Sequence, residues 1–333
     1  MNFPIEVESI IEIVLKRIIY FIIFFSAVFL VVSINGATKT KSKRTPDAAT
    51  VLEQGREAFL NYDFEEAADL FEQYRALKKK AKQEPGEEFE LMESQLEIAT
   101  GAFDRVQKIV IIDSIGVSRN DFFKSYKLAD SAGKIGIKNS LGISSDDSSQ
   151  EVGFISENKD YAIWPAEDSE GGLILKEGRK LLDGTWETID ALNGSFEKNG
   201  DYAFPFMSGD GQTLYFSNNG LESMGGYDLF VVQKQPITGD CLQPLNLGMP
   251  FNSPFDDFMM AVDEETGLGW WATDRNDPGG DLTIYVFLLD EVRKNYPSDT
   301  PNLKDLAKIS DYKATQDSTQ LADYRKILRN LPK

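Results

Sequence analysis

The chain of 333 residues contains no histidine and a single cysteine, Cys241. Without an imidazole, Ser-His-Asp and Cys-His catalysis are excluded, as is every metal site with histidine ligands. One cysteine cannot close an intrachain disulfide or build a thiolate cluster, so Cys241 reads as a buried or incidental thiol. Basic side chains are also scarce: 35 Lys and Arg stand against 54 Asp and Glu, a formal charge of -19. That deficit argues against a nucleic-acid partner, which needs basic patches to neutralise phosphates, and disfavours anionic lipid surfaces. The remainder, 41% hydrophobic and 11% aromatic, is a globular composition with length enough for two domains.

The one long apolar run stands near the N-terminus. Lys16 and Arg17 precede Ile18 to Val32, broken only by Ser26, and the small residues Gly36 and Ala37 follow before a basic polar stretch. This is the layout of a secretory signal, residues 1-37. The run with its flanks, residues 18-34, also approaches the length of an uncleaved membrane anchor. Either way the rest of the chain is expected outside the cytoplasm. Membrane contact is then expected only through this segment, if it is kept.

From Asp47 to about Lys80, apolar residues recur at steps of three and four: Leu52, Ala58 and Phe59, then Ala67, Leu70, Phe71 and Tyr74. This predicts two amphipathic helices joined at "NYDF". Gly55 and Ala67 are small where the helices must approach. The pair resembles a tetratricopeptide repeat, whose small, small and aromatic positions match Gly55, Ala67 and Phe71, with Val51, Gln54 and Ala58 as departures. A further helix is expected from about Glu87 to Thr100, giving a helical module over 47-117. Such a resemblance implies a peptide-binding groove, for which Arg56, Phe59 and Leu60 are the candidates.

From about Lys134 the texture changes to short β-rich runs punctuated by Gly, Asn and Asp. The pairs Gly171-Gly172, Gly225-Gly226 and Gly279-Gly280 recur at a constant step (225 − 171 and 279 − 225 are both 54). Ala162, Phe216 and Trp270 fall into line at the same step. A period of this size made of short strands suggests propeller blades. The stretch "FMSGDGQTLYFSNN…GGYDLFVV" resembles the WD-repeat-like blades of TolB-type β-propellers, whose hallmark is Ser-x-Asp-Gly, an aromatic strand, then Ser-Asn. Its motif residues here are Ser208, Asp210, Gly211, Gly225, Gly226, Asp228, Gly279 and Gly280. Together with the signal-type segment and the helical pair, the chain is similar to exported proteins of Bacteroidetes-type bacteria.

The expected fold is therefore α+β multidomain: a signal or anchor helix, a helical module, an all-β propeller-like domain over 134-290, and a short helical tail over 291-333. Three repeats are visible and a closed propeller takes about four, so the expectation is a fourth within Ser118 to Gln150, closure by other means, or a chain shorter than its relatives. The resemblance implies binding or assembly roles outside the cytoplasm and names no partner; repeat architecture without a complete catalytic set points to a protein partner in the cell envelope.

No stretch supplies a complete catalytic set, and neither cofactor nor metal is expected. Asp210-Gly211 reads as a hairpin turn, and Ser208 has no base. "TDRNDPGGD" from Thr273 places Pro278 and Tyr285 where a calcium loop needs oxygen ligands, and reads as a surface turn. The neighbouring carboxylates Asp256-Asp257 and Asp146-Asp147 cannot flank one bond, because adjacent strand residues face opposite ways. Trp164, Trp186, Trp270 and Trp271 offer a sugar-stacking platform or a core. The alternative function is thus a glycan-binding or carbohydrate-active protein.

Overall fold

A computed structural model describes residues 47-143, 151-192, 196, 199-290, 292-316 and 321-331. The signal-type segment and the Asp146-Asp147 pair lie outside the described residues. Residues from Asp47 onward form one compact unit.

The three-and-four spacing produces helices α1 (Ala48–Leu60), α2 (Phe64–Lys80) and α3 (Glu87–Phe103). Glu65 and Glu66 open α2 and Lys78, Lys79 and Lys80 close it, each sign opposing the local end of the helix dipole. α1 packs on α2 at Gly55, where a Cβ would lie 2.6 Å from the Phe71 ring. α3 then adds Phe89, edge-on to Phe71 at 5.6 Å.

The helical stretch ends at Phe103. Ile111–Val117, expected as its exit, is instead strand β1. It pairs antiparallel with the last strand of the fold, from Ile111 against Phe287 to Val117 against Leu282. The remaining strands are β2 (Lys134–Ile137), β3 (Val152–Ile155), β4 (Tyr161–Glu167), β5 (Leu173–Lys180), β6 (Trp186–Ala191) and β7 (Tyr202–Met207). They continue as β8 (Thr213–Asn218), β9 (Asp228–Gln233), β10 (Leu245–Asn246), β11 (Asp257–Asp263), β12 (Leu268–Thr273) and β13 (Leu282–Leu288). These make three antiparallel sheets: β2-β3-β4-β5-β6, β10-β9-β8-β7 and β1-β13-β12-β11. β7 packs against β3 and β4 on one side and β11 on the other. The fold is thus mixed α+β.

The 54-residue step has a structural meaning. Its glycine pairs occupy the β4–β5, β8–β9 and β12–β13 connections. At the opposite end of each sheet the same bond recurs, the chain leaving the third strand donating to the hairpin of the first two: Lys180 N to Asp160 O (2.8 Å), Lys234 N to Gln212 O (2.8 Å) and Leu289 N to Gly267 O (3.0 Å). β7 and β11 also share a bulge, with Phe204 and Met259 at φ +52° and +56°.

The stretch expected to hold a fourth repeat does something else. Among the described residues of 118-150, only β2 is a strand, and it joins the sheet of β3. Between β1 and β2 the chain makes two short 3-10 turns and runs beside β11. Arg119 reaches Asp274, the Tyr126 hydroxyl donates to Met259 O at 2.8 Å, and Ala129 N donates to Asp263 Oδ2 at 2.9 Å. Phe122 and Tyr126 enter the inter-sheet core, so this connector covers β11 with side chains instead of a ladder. Two helices end the chain, α4 (Leu303–Lys308) and α5 (Leu321–Asn330).

The helices are not separate from the sheets. Their core includes Met224 from the β8–β9 connection, Met249, and Leu303 and Ala307 of α4. Gln95 of α3 donates to Gly225 O at 2.8 Å, and Lys304 reaches Asp63 at 2.6 Å. Gly225 is where the backbone of this connection meets the 253-255 segment: an added Cβ would lie 2.6 Å from Pro254 C and Ser253 O. Both are main-chain atoms and cannot swing away. Gly225→Ala is therefore expected to destabilise the unit by about 1–3 kcal/mol in urea unfolding, whereas Gly171→Ala, with open space around its Cβ, pays only for its φ of +84°.

Candidate functional site

Two cavities open at opposite ends of the space between the sheets. The first, of about 660 Å³, lies at the ends where β7 and β11 begin. Its walls are aromatic: Phe204 stacks on Phe258 at 4.7 Å, Tyr227 stands edge-on to Phe204 at 5.7 Å, and Phe122 of the connector meets Phe258 at 5.3 Å. The bulge aims Phe204 here, because a left-handed residue turns its side chain out of the strand's alternation. At the mouth stands Arg119. Its Nη2 donates to Asp274 Oδ2 at 2.8 Å and its Nε to Gly280 O at 3.3 Å, while Nη1 is 3.9 Å from Asp256. Burial pushes the Asp256 carboxyl up, and Tyr227 N, which donates to it at 2.9 Å, opposes that rise.

The second cavity, of about 590 Å³, lies at the other end and is polar. Serines from three elements line it, each hydroxyl donating to a carboxylate: Ser131 to Glu265, Ser156 to Asp160 at 2.9 Å, and Ser208 to Glu264 at 2.6 Å. Ser208 so ties the β7–β8 hairpin to the β11–β12 hairpin. Beside it, Glu177 of β5 accepts from Tyr161 of β4 and from Lys234, the residue after β9. Burial and the Glu177 charge both raise the Tyr161 phenol. Cys241 is buried nearby, and that burial pushes its thiol up to about 11.

The remaining motif residues hold turns. Asp210 accepts from Gln212 N, Thr213 N and the Thr213 hydroxyl, and Gly211 takes the positive φ of the hairpin. Gly226 faces Asp256, and Gly279 and Gly280 close the turn after Asp277. Asp228 is buried: its Oδ2 accepts from Met224 N at 3.0 Å and from Asn246 at 2.7 Å, and its Oδ1 has no hydrogen-bond partner. Burial pushes its carboxyl well above the ordinary range.

The structure decides between the alternatives left by the sequence, and corrects the surface-turn reading of the stretch from Thr273. Phe59 is a core side chain, 4% exposed against Phe64, and does not face a groove. Arg56 lies 3.7 Å from Glu88 of α3, and Leu60 is half-buried against the helical core. The tryptophans form no platform: Trp164, Trp270 and Trp271 are buried, and the Trp186 indole donates to Gly142 O at 2.8 Å. The stretch from Thr273 is a surface turn only in its second part. Asp274 and Arg275 are buried, and the Arg275 guanidinium donates to Pro250 O, Phe251 O and Asp257 Oδ1 at 2.9, 2.8 and 2.5 Å. Asp256 and Asp257 do diverge, the first lining the aromatic cavity and the second facing Arg275 and Ser253. Arg119, Phe122 and Arg275 were not singled out from sequence; the first two lie outside the repeat, and nothing local marks the third as buried.

Burial outweighs the Arg275 attraction and lifts the Asp257 carboxyl to about 6, so the pair is ionised at neutral pH. Removing the carboxylate would strand a buried guanidinium. Asp257→Ala is expected to cost about 3–5 kcal/mol in urea unfolding, with most of the loss recovered in the Asp257→Ala/Arg275→Met double variant. Asp257 and Asp228 both bind a proton more tightly folded than unfolded. Their stabilisation is complete below the unfolded value of 3.8 and is lost as pH rises through the folded values. Asp228→Asn is therefore expected to flatten the fall of stability with rising pH, by up to about 1.4 kcal/mol per pH unit. Parallel wild-type and variant pH profiles would refute this.

Comparison with known proteins found no matching family model and no matching curated protein for this chain.

Proposed function

We propose that the chain is an exported, non-catalytic interaction or assembly scaffold of the bacterial cell envelope, combining a tetratricopeptide-type helical pair with TolB-type propeller repeats. The observation that carries the reading is the way polar groups are used at both cavities. Arg119 is matched by Asp274, Ser208 by Glu264 and Lys234 by Glu177, so the charged and hydroxyl groups hold elements together. The glycine step supports the propeller reading, since the same connections and strand-end bonds recur in three sheets. Buried contacts between α3 and the β8–β9 connection support one rigid binding body. The chain would reach its partner outside the cytoplasm, after signal cleavage or while held by residues 18-34.

A specific cavity favours a second reading, a glycan-binding protein. Its aromatic walls suit the apolar face of a sugar ring, and Arg119, Asn120 and Asp256 at the mouth suit hydroxyls.

Crosslinking in the native cell followed by purification should recover the same envelope protein in repeated preparations, and recovery of none would count against the scaffold. A glycan array separates the readings: saturable binding of one sugar class, weakened tenfold or more in Tyr227→Ala, would favour the glycan reading.

A further inference from the structure

The mouth of the aromatic cavity holds two polar arms with no hydrogen-bond partner inside the protein. Arg119 commits Nη2 to Asp274 and Nε to Gly280 O, and Asp256 commits Oδ1 to Tyr227 N. Arg119 Nη1 and Asp256 Oδ2 are left. They stand 3.9 Å apart, too far for a hydrogen bond, and neither bonds any other described residue. Both side chains line the cavity and meet solvent, Arg119 39% exposed and Asp256 31%. One arm is a donor and the other an acceptor. The wall beside them is Phe122, Phe204, Tyr227 and Phe258, drawn from the connector, β7, the β8–β9 connection and β11. The charges of the lining also cancel: Arg119 faces Asp256 and Asp274, and Lys124 is 2.8 Å from Asp121. A charged ligand would upset that balance, and a neutral one keeps it.

We propose that the cavity takes a neutral hexopyranose by its vicinal diol, with Arg119 Nη1 and Asp256 Oδ2 as the two atoms that read it. One ring hydroxyl accepts from Nη1, its neighbour donates to Oδ2, and the apolar face of the ring lies against the aromatic wall. The proposal rests on the glycan reading of this cavity and adds which part of the sugar is recognised. A hydroxyl is both donor and acceptor, so two in sequence carry an unbroken run of O–H bonds from the guanidinium to the carboxylate. A single hydroxyl would have to bridge arms 3.9 Å apart. With bonds of about 2.8 Å its two contacts would meet at about 90°, tighter than the tetrahedral spread of a lone pair and a proton. Two adjacent hydroxyls span the gap with each bond aligned. Both bonds are to charged groups in a site partly closed by aromatic rings, where such bonds are stronger than neutral ones.

The test uses the full chain and surface-linked β-galactose, α-mannose and β-glucose, each beside its 3-deoxy and 6-deoxy forms. Glucuronic acid and glucosamine complete the set as charged sugars. Removing O3 destroys both free vicinal diols of a hexopyranoside and keeps the ring, whereas removing O6 leaves both diols. At least one neutral sugar should bind saturably, its 3-deoxy form about tenfold more weakly and its 6-deoxy form within about twofold. That comparison needs no altered protein. Asp256→Asn and Arg119→Gln should each weaken the parent sugar about tenfold. The variant whose arm holds O3 should lose little further on the 3-deoxy sugar, because the same bond has already gone. A change that merely loosened the cavity would weaken parent and 3-deoxy sugar by equal factors. Binding of no sugar would refute the glycan reading and the diol together. Saturable binding in which the 3-deoxy form matches its parent would leave the glycan reading standing and overturn the diol. So would losses that multiply in both variants, or binding restricted to the charged sugars.

Discussion

The unit depends on one buried charge. Arg275 stands just past β12, and its guanidinium holds Thr273, the carbonyls of Pro250 and Phe251, and Asp257 at the start of β11. A charge in that position is tolerable because each of its three nitrogens finds an acceptor and Asp257 is its counter-ion. The geometry then propagates. The carbonyls fix the turn that carries Met249, and Met249 packs into the helical core while its own carbonyl accepts from Gln107 N at 2.9 Å. Asp257 also accepts from Ser253, whose carbonyl sets the close approach at Gly225. Helices and sheets thus share one polar joint, roofed by Tyr62 of the α1–α2 turn, whose phenol burial lifts to about 12.

Around that joint, repetition does most of the organising. Three sheets end their third strands with the same backbone bond, and the loops at the other end carry the glycine pairs. Those loops differ in what they bury. In the β8–β9 loop Met224 enters the helical core, and in the β12–β13 loop Asp274 meets Arg119 of the connector. Equivalent loops have been put to different joints, so the repeat is clearest in the backbone and faint in the side chains.

That asymmetry explains what could be read in advance. The helical pair was legible because Gly55 and Phe71 stand at a spacing only a close helix contact needs. The turns at Asp210-Gly211 and Gly225-Gly226 were legible because their chemistry is local. The pairing of β1 with β13 was not, since it joins residues far apart in sequence and β1 resembles any short apolar run. Arg275 was misplaced for the same reason. Flanked by Asp, Asn, Pro and Gly it has the composition of a surface turn, and only the acceptors delivered by residues 250-257 make its burial possible. The tryptophans could be assigned to core or platform from sequence; Trp270 and Trp271 enter the inter-sheet core, while Trp164 is covered by Leu141, Ile143 and Trp186.

The aromatic cavity follows from an irregularity that the connector makes affordable. A left-handed Phe204 or Met259 is unfavourable in a strand and persists only where surroundings over-determine it. At Met259 the bulge turns a carbonyl toward Tyr126, whose buried hydroxyl donates to it. At Phe204 the ring is held between Phe258 and Tyr227, with Phe122 closing the side at 6.0 Å. Both supporting aromatics, Phe122 and Tyr126, come from the connector beside β11. A regular strand there would pair with β11 by its backbone and would need no bulge to accept it. The irregular connector instead meets β11 through a hydroxyl and a ring, and the space it leaves near Arg119 is the cavity. Closing the core without another sheet and opening a site at its end are therefore the same structural event.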